Sequence, residues 1–224
     1  MYHYVRALPS KAVDPIGYGL SVPPAVFAQQ MSAFSKAGFH TETMADVAVG
    51  KGGLKSVALT FDDGYEDFYT TAYPILRQND FTATIYIITA KVGTPNYMTW
   101  EQLQELVKAG IEVGAHTVNH IDLATASRAQ QEFEIKQSKQ ILEEHLGIPV
   151  TAFCYPSGKY TATTEDLVRQ AGFTTATTTQ PGIVHPGADA LTLPRIRVDP
   201  STTLADLTDG VPTPLPRRRS TTTP

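Results

Sequence analysis

One piece of punctuation occurs three times in this chain: "FSKAGFHT" at 34–41, "LVKAGIEV" at 106–113 and "VRQAGFTT" at 168–175. Each time a helical spacing of apolar residues runs into Ala-Gly and then an apolar residue. Glycine tolerates the left-handed conformation that closes a helix, and the apolar residue after it leads directly into a strand. A helix-to-strand joint used three times restricts the chain to alternating units. The runs "SVALTF", "TATIYII", "IEVGA", "TAFCYP", "FTTATTT" and "LTLPRIRV" are short and β-branched or aromatic. Several are apolar on both parities, as strands covered on both faces are. This order predicts an α/β fold with a parallel sheet, curled into a closed or nearly closed (β/α) barrel. The helix expected near 100–109 has Thr99 as N-cap and Gln102 as its capping-box partner, with Leu103, Leu106 and Val107 on one face.

A length of 224 residues with 42% hydrophobic and 18% charged side chains suits one globular core. We expect a single domain over 1–210, followed by a disordered tail at 211–224 rich in Pro, Thr and Arg. A net charge of -4 and a pI near 5.8 give no basic field for DNA or RNA, so no nucleic-acid partner is expected. The one cysteine, Cys154, rules out an internal disulfide. No apolar run reaches the length of a membrane span, and "MYHYV" already looks like the inside of a strand, so membrane association is expected only through a segment absent from this chain.

In (β/α) barrels chemistry sits at the C-terminal ends of strands. The first such end, "VALTFDDGYEDF", places two like charges, Asp62 and Asp63, at the mouth of an apolar run. The second, "EVGAHTVNHIDL", places His116 and His120 four apart, on the same face if they share a helical turn. Two imidazoles and one carboxylate make a hydrolytic zinc site with open positions, and the second carboxylate is then free for proton transfer. The competing reading is an Asp-Asp-Gly turn whose acids cap the following helix, with the histidines a solvated pair. The third end, "FCYPSGKY", either presents backbone N–H groups and a tyrosine hydroxyl to a ligand or is only a turn. The segment "KVGTPNYMTW" is a loop placed to border a groove.

"TFDDGYED", "HTVNH" and "FCYPSGKY", in that order on successive strand ends, resemble the leading motifs of the polysaccharide deacetylases, the NodB homology domain of carbohydrate esterase family 4. The opening "MYHYV" and the late "LPRIRV" resemble the poly-N-acetylglucosamine deacetylase branch, in which the motif order is permuted. The resemblance spans Tyr2 to about Asp209. It implies a distorted, incomplete (β/α) barrel and metal-dependent removal of N-acetyl groups from an amino-sugar polysaccharide of the poly-N-acetylglucosamine, chitin or peptidoglycan type. It further implies that Asp62 is the general base, that Asp63, His116 and His120 hold Zn2+ or another divalent ion such as Co2+, Ni2+ or Fe2+, and that His3 is the general acid. By the same analogy the protein acts outside the cell or in the cell envelope; a monomer is expected.

The chain also departs from the family. Cys154 stands where most members carry the arginine that orients the catalytic aspartate, and Arg195 of "PRIRV" is the candidate to replace it. Tyr155, Pro156 and Gly158 are assigned to substrate binding, with an oxyanion-binding N–H near Tyr155. Trp100 is expected to pack against the barrel. His40, His145 and His185 are given no part in the site. The alternatives are an O-acetyl esterase acting on a xylan-like polymer and a non-catalytic carbohydrate-binding protein of the same fold.

Overall fold

The computed structural model describes residues 1–208; the expected tail at 211–224 lies outside the described residues. In chain order the elements are β1 (Tyr4–Val5), α1 (Pro15–Leu20), β2 (Ser21–Val22), α2 (Pro24–Lys36), β3 (His40–Glu42), α3 (Met44–Ala48), β4 (Ser56–Ala58) and β5 (Thr60–Phe61). A π-helical turn (Phe68–Ala72) leads into α4 (Tyr73–Gln78), then β6 (Thr84–Ile87), α5 (Trp100–Lys108), β7 (Glu112–Ala115) and α6 (Arg128–Leu146). The described chain ends with β8 (Ala152–Cys154), α7 (Ala162–Gln170), β9 (Thr175–Thr177) and α8 (Leu204–Thr208).

All three Ala-Gly joints form as the sequence predicts. Gly38, Gly110 and Gly172 have φ of 77°, 87° and 79°. The next N–H in each case reaches back to the last helical turn: Phe39 to Phe34 O, Ile111 to Leu106 O and Phe173 to Val168 O. Those three apolar residues are buried, so each joint pins a helix end to the core before its strand begins. The capping box at Thr99 and Gln102 is also present. Leu103 and Leu106 of α5 are fully buried, each contributing roughly 1.5–3 kcal/mol by its removal from water.

Strands β5-β6-β7-β8-β9 form one parallel sheet in sequence order. β6 is buried along its whole length, as a strand covered on both faces must be. Two short parallel pairs, β1 with β2 and β3 with β4, flank it. The predicted strand in "LTLPRIRV" is not formed. Leu193 makes a single parallel pairing with Thr177, and Pro194, lacking an N–H, cannot continue the ladder. The stretch nevertheless bridges the open edges. Leu193 bonds to Ala176 and Thr178, Val198 donates to Met1 O, and Tyr2 donates to Thr60 O while Asp62 donates to Tyr2 O. The ring is therefore a distorted (β/α) barrel, regular over five strands and closed by irregular chain. Tyr2, Phe27, Phe61 and Phe68 pack ring against ring behind that closure and anchor the N-terminal segment.

Candidate metal centre and active site

Asp62 and Asp63 follow β5 directly, in a tight and strained turn. Asp63 has φ of 76°, a conformation costly to a residue with a Cβ, and Gly64 follows at 83°. A Cβ on Gly64 would stand 3.0 Å from Ile87 Cδ1, so the turn lies flat against β6. The strain aims the two carboxylates at different partners. Among the described hydrogen bonds, no N–H of the following helical turn reaches either side chain, which removes the helix-capping reading of the pair.

Asp63 meets the histidines. Its Oδ1 lies 3.4 Å from His116 Nε2 and 3.6 Å from His120 Nε2. The histidines do not share a helical turn, contrary to the sequence-based expectation. β7 ends at Ala115, and the chain reverses through Thr117 at φ 65° and His120 at φ 58°. The hydroxyl of Thr117 accepts the His120 N–H at 2.9 Å. The turn brings the rings edge to face with centroids 4.8 Å apart.

The donor set fits a divalent cation. His116 Nδ1 lies 2.7 Å from the carbonyl of Cys154, a contact that fixes one proton on Nδ1 and makes Nε2, which faces Asp63, the nitrogen a cation would take. Two ligands at about 2.0–2.1 Å from one tetrahedral ion stand roughly 3.3 Å apart, close to the spacings between Asp63 and the imidazoles. Burial and the neighbouring His116 hold His120 below the ordinary histidine range, so its lone pair is free. Burial also pulls His116 down, but Cys154, Asp63 and Asp62 outweigh it and push that ring well above the ordinary range, as expected where a proton occupies a cation's place. Asp62, His116 and Cys154 form a second group within reach of one another, yet both Asp62 oxygens already face a guanidinium.

That guanidinium belongs to Arg195, held at the barrel closure by the irregular stretch after β9. Its Nη1 and Nη2 donate to the two Asp62 oxygens at 2.7 and 2.8 Å, and its Nε donates to Thr178 O. Cys154 Sγ lies 3.2 Å from Arg195 Nη2, so the thiol leaves room for an arginine arriving from elsewhere in the chain. Burial would raise the Asp62 carboxyl, but the Arg195 charge overrides it and keeps Asp62 ionised well below the usual carboxylate range. His3 Nε2 stands 3.9 Å from Asp62 Oδ2. Burial lowers this imidazole against the pull of both aspartates, so it rests neutral.

Tyr155, Pro156 and Gly158, expected at a substrate, are held by contacts within the fold. The Tyr155 N–H donates to Thr177 O and its hydroxyl to Leu191 O, and the ring is fully buried against Phe153 and Tyr160. No oxyanion-binding N–H is available at that residue. Pro156 is buried too, and Gly158 is required by packing, since a Cβ there would collide with Thr179. Two other features escaped the sequence. Tyr4, Tyr65 and Tyr97 stack as a half-buried wall beside Asp63, joined to the 90–99 loop by the pairing of Tyr65 with Tyr97. The second is the stack of Trp100 on His145 at 3.9 Å, which gives His145 a partner outside the site; Trp100 itself packs partly against the core, as the sequence predicts.

A family model described as polysaccharide deacetylase matches residues 50–176, more than half of the chain. The chain is 31% identical over 205 residues to YxkH of Bacillus subtilis, a protein assigned to the polysaccharide deacetylases, covering 89% of this chain and 70% of that one. It is 27% identical over 163 residues to the poly-β-1,6-N-acetyl-D-glucosamine N-deacetylase of Staphylococcus aureus, covering 66% of this chain and 56% of the relative. Among solved structures, the Streptococcus pyogenes deacetylase PplD in complex with acetate is similar with a TM-score of 0.88 and 32% identity, over 95% of this chain and 96% of that one. His3 and Arg195 lie outside the matched 50–176, and it is the barrel closure that brings them to Asp62.

Proposed function

The chain belongs to the polysaccharide deacetylase family, and we propose that it is a metal-dependent hydrolase removing N-acetyl groups from an amino-sugar polysaccharide. The observation that carries this reading is the convergence of His116 and His120 on Asp63 beside an Asp62 kept ionised by Arg195. The substrate class is supported by the Staphylococcus aureus relative, whose name gives poly-β-1,6-N-acetyl-D-glucosamine, and by the acetate, a deacetylation product, held by the Streptococcus pyogenes neighbour. Poly-N-acetylglucosamine, chitin and peptidoglycan all present the same acetamide.

A divalent cation held by Asp63, His116 and His120, zinc in the first instance, would lower the pKa of a water toward neutrality and polarise the amide carbonyl. Asp62 accepts the proton of the attacking water. Arg195 fixes the direction of both its oxygens and keeps it charged before the step, so it is always ready to accept. Such an acid is a weak base in the ground state, and this suits a base that must pass its proton on. His3 rests neutral 3.9 Å away. It receives that proton and delivers it to the leaving sugar amine as the C–N bond breaks. The Tyr4–Tyr65–Tyr97 stack lines one side of the site. One domain over 1–210 carries the activity, working as a monomer on a polymer in the cell envelope or outside the cell. No helix among the described residues is long and apolar enough to cross a membrane.

The test is acetate release by zinc-loaded protein from N-acetylglucosamine oligomers, peptidoglycan fragments and acetylated xylan in parallel. Release from an acetamide substrate supports the proposal. Release from xylan alone makes the protein an O-acetyl esterase, and sugar binding without any release makes it a carbohydrate-binding protein.

A further inference from the structure

His120 sits on a turn with no helix to hold it, and one side chain from a different element fastens that turn. Glu134, in the first half of α6, is 4% exposed. Its Oε2 accepts the N–H groups of Val118 and Asn119, both at 2.8 Å, and its Oε1 accepts Asn119 Nδ2 at 2.7 Å. No cation is paired with it among the described residues. A buried carboxylate is costly unless hydrogen bonds satisfy it, and every bond Glu134 makes goes to the two residues between Thr117 and His120. From the other side, Thr89 and Ala90 donate to the carbonyls of Thr117 and Val118. The segment is thus clamped between α6 and the chain after β6, with left-handed residues at both ends.

We propose that Glu134 is a positioning residue for the metal centre. It sets the height and tilt of the His120 ring by fixing the two residues that precede it. The inference rests on the proposed metal centre. Groups that orient a ligand in this way typically alter metal affinity by about 10–100-fold when removed. The sequence carries no sign of the role, because Glu134 lies fourteen residues beyond His120 inside an ordinary helical run.

The test is competition of zinc against a chromophoric chelator, with the unfolding temperature of the zinc-free protein measured on the same samples. E134A removes all three acceptors. E134Q keeps one oxygen for the two N–H groups but loses the charge and sets an amide donor against Asn119 Nδ2. Glu112 supplies a control: it is a carboxylate mostly removed from water that accepts from Met44 N, Ala45 N and Thr84 Oγ1 at the opposite end of β7 from His116. We expect zinc to bind about tenfold more weakly to E134Q and up to a hundredfold more weakly to E134A. E112Q should lower the unfolding temperature and leave zinc affinity unchanged. The proposal is overturned if folded E134Q and E134A bind zinc within twofold of the unaltered chain, or if E112Q loses as much affinity as they do. Should E134A fail to fold, E134Q decides alone by the same criterion. H120A distinguishes failure of the metal centre from failure of the clamp. If H120A abolishes binding while the Glu134 variants do not weaken it, the metal centre stands and the clamp falls. If the unaltered chain binds no zinc, both fall.

Discussion

Arg195 and Asp62, separated by 133 positions in the chain, face each other as a buried fork-to-fork pair with bonds of 2.7 and 2.8 Å. A paired arrangement of this kind fixes direction as well as charge. Replacing Arg195 by Met or Ala leaves a buried, unpaired carboxylate, a change that typically costs about 3–5 kcal/mol. Lys at 195 restores a charge but not the planar fork. We predict that R195K retains more stability than R195A, measured by denaturant unfolding, while both lose most acetate release. Full activity in R195K would show that charge alone, not orientation, is what Asp62 needs.

Asp62→Asn removes the proton acceptor and keeps the shape. Loss of a positioned base lowers turnover by roughly 10² to 10⁴, with zinc binding retained because Asp63 and the histidines remain. Zinc affinity that falls with Asp62 would instead make it a ligand.

Zinc uptake is predicted to strengthen with rising pH. His116, pushed above the ordinary histidine range against its burial by Cys154, Asp63 and Asp62, carries a proton where the cation binds, and that proton must leave. Calorimetry in buffers of differing ionisation heat should record proton release near neutral pH, with affinity higher at pH 8 than at pH 6. Equal affinity and no proton release would contradict the assignment of His116 Nε2 as a ligand.

Asp67 gives a pH effect on stability alone. Burial pushes its carboxyl up to about 6, and among the described residues its Oδ1 has no partner while Oδ2 accepts the Val5 N–H at 3.1 Å. Below about pH 3 the folded and unfolded forms are both largely protonated. As pH rises toward 6 the unfolded form loses its proton first, so stability drops through that window and stays lower above it. D67N should match the unaltered protein near pH 3 and exceed it by about 1–3 kcal/mol at pH 7.5. Parallel unfolding curves for the two at both pH values would refute this.

Gly64→Ala is predicted to cost about 1–2 kcal/mol from the left-handed backbone, plus the contact with Ile87. Because Asp63 precedes it at φ 76°, zinc affinity should fall further than stability does. A destabilised variant with unchanged zinc affinity would show that the turn does not aim Asp63.

The alternating units were legible because a helix end closed by glycine leaves a local signature, as at Gly38, Gly110 and Gly172. Adjacent carboxylates at a strand mouth and a histidine pair beyond the next strand are also local, and they marked Asp62, Asp63, His116 and His120. What was not legible depended on long-range closure or on backbone that side-chain spacing does not encode. Spacing four apart suggested a helical turn for the histidines, whereas left-handed Thr117 and His120 produce the proximity another way. Pro194 interrupts what composition presented as a strand. Tyr155 seemed open to a ligand because its sequence context is a turn, and only the fold shows its N–H and hydroxyl engaged with Thr177 and Leu191. Glu134 gave no signal, since its partners are in another element.

The most direct test is acetate release from N-acetylglucosamine oligomers by chelated protein before and after zinc is restored, with D63N alongside. Asp63 is where both imidazoles converge. No release is expected after chelation, with recovery at one zinc per chain and no recovery in D63N at the same zinc concentration. Release that persists in the chelated protein, or that D63N recovers in full, would contradict a metal-dependent reaction at Asp63.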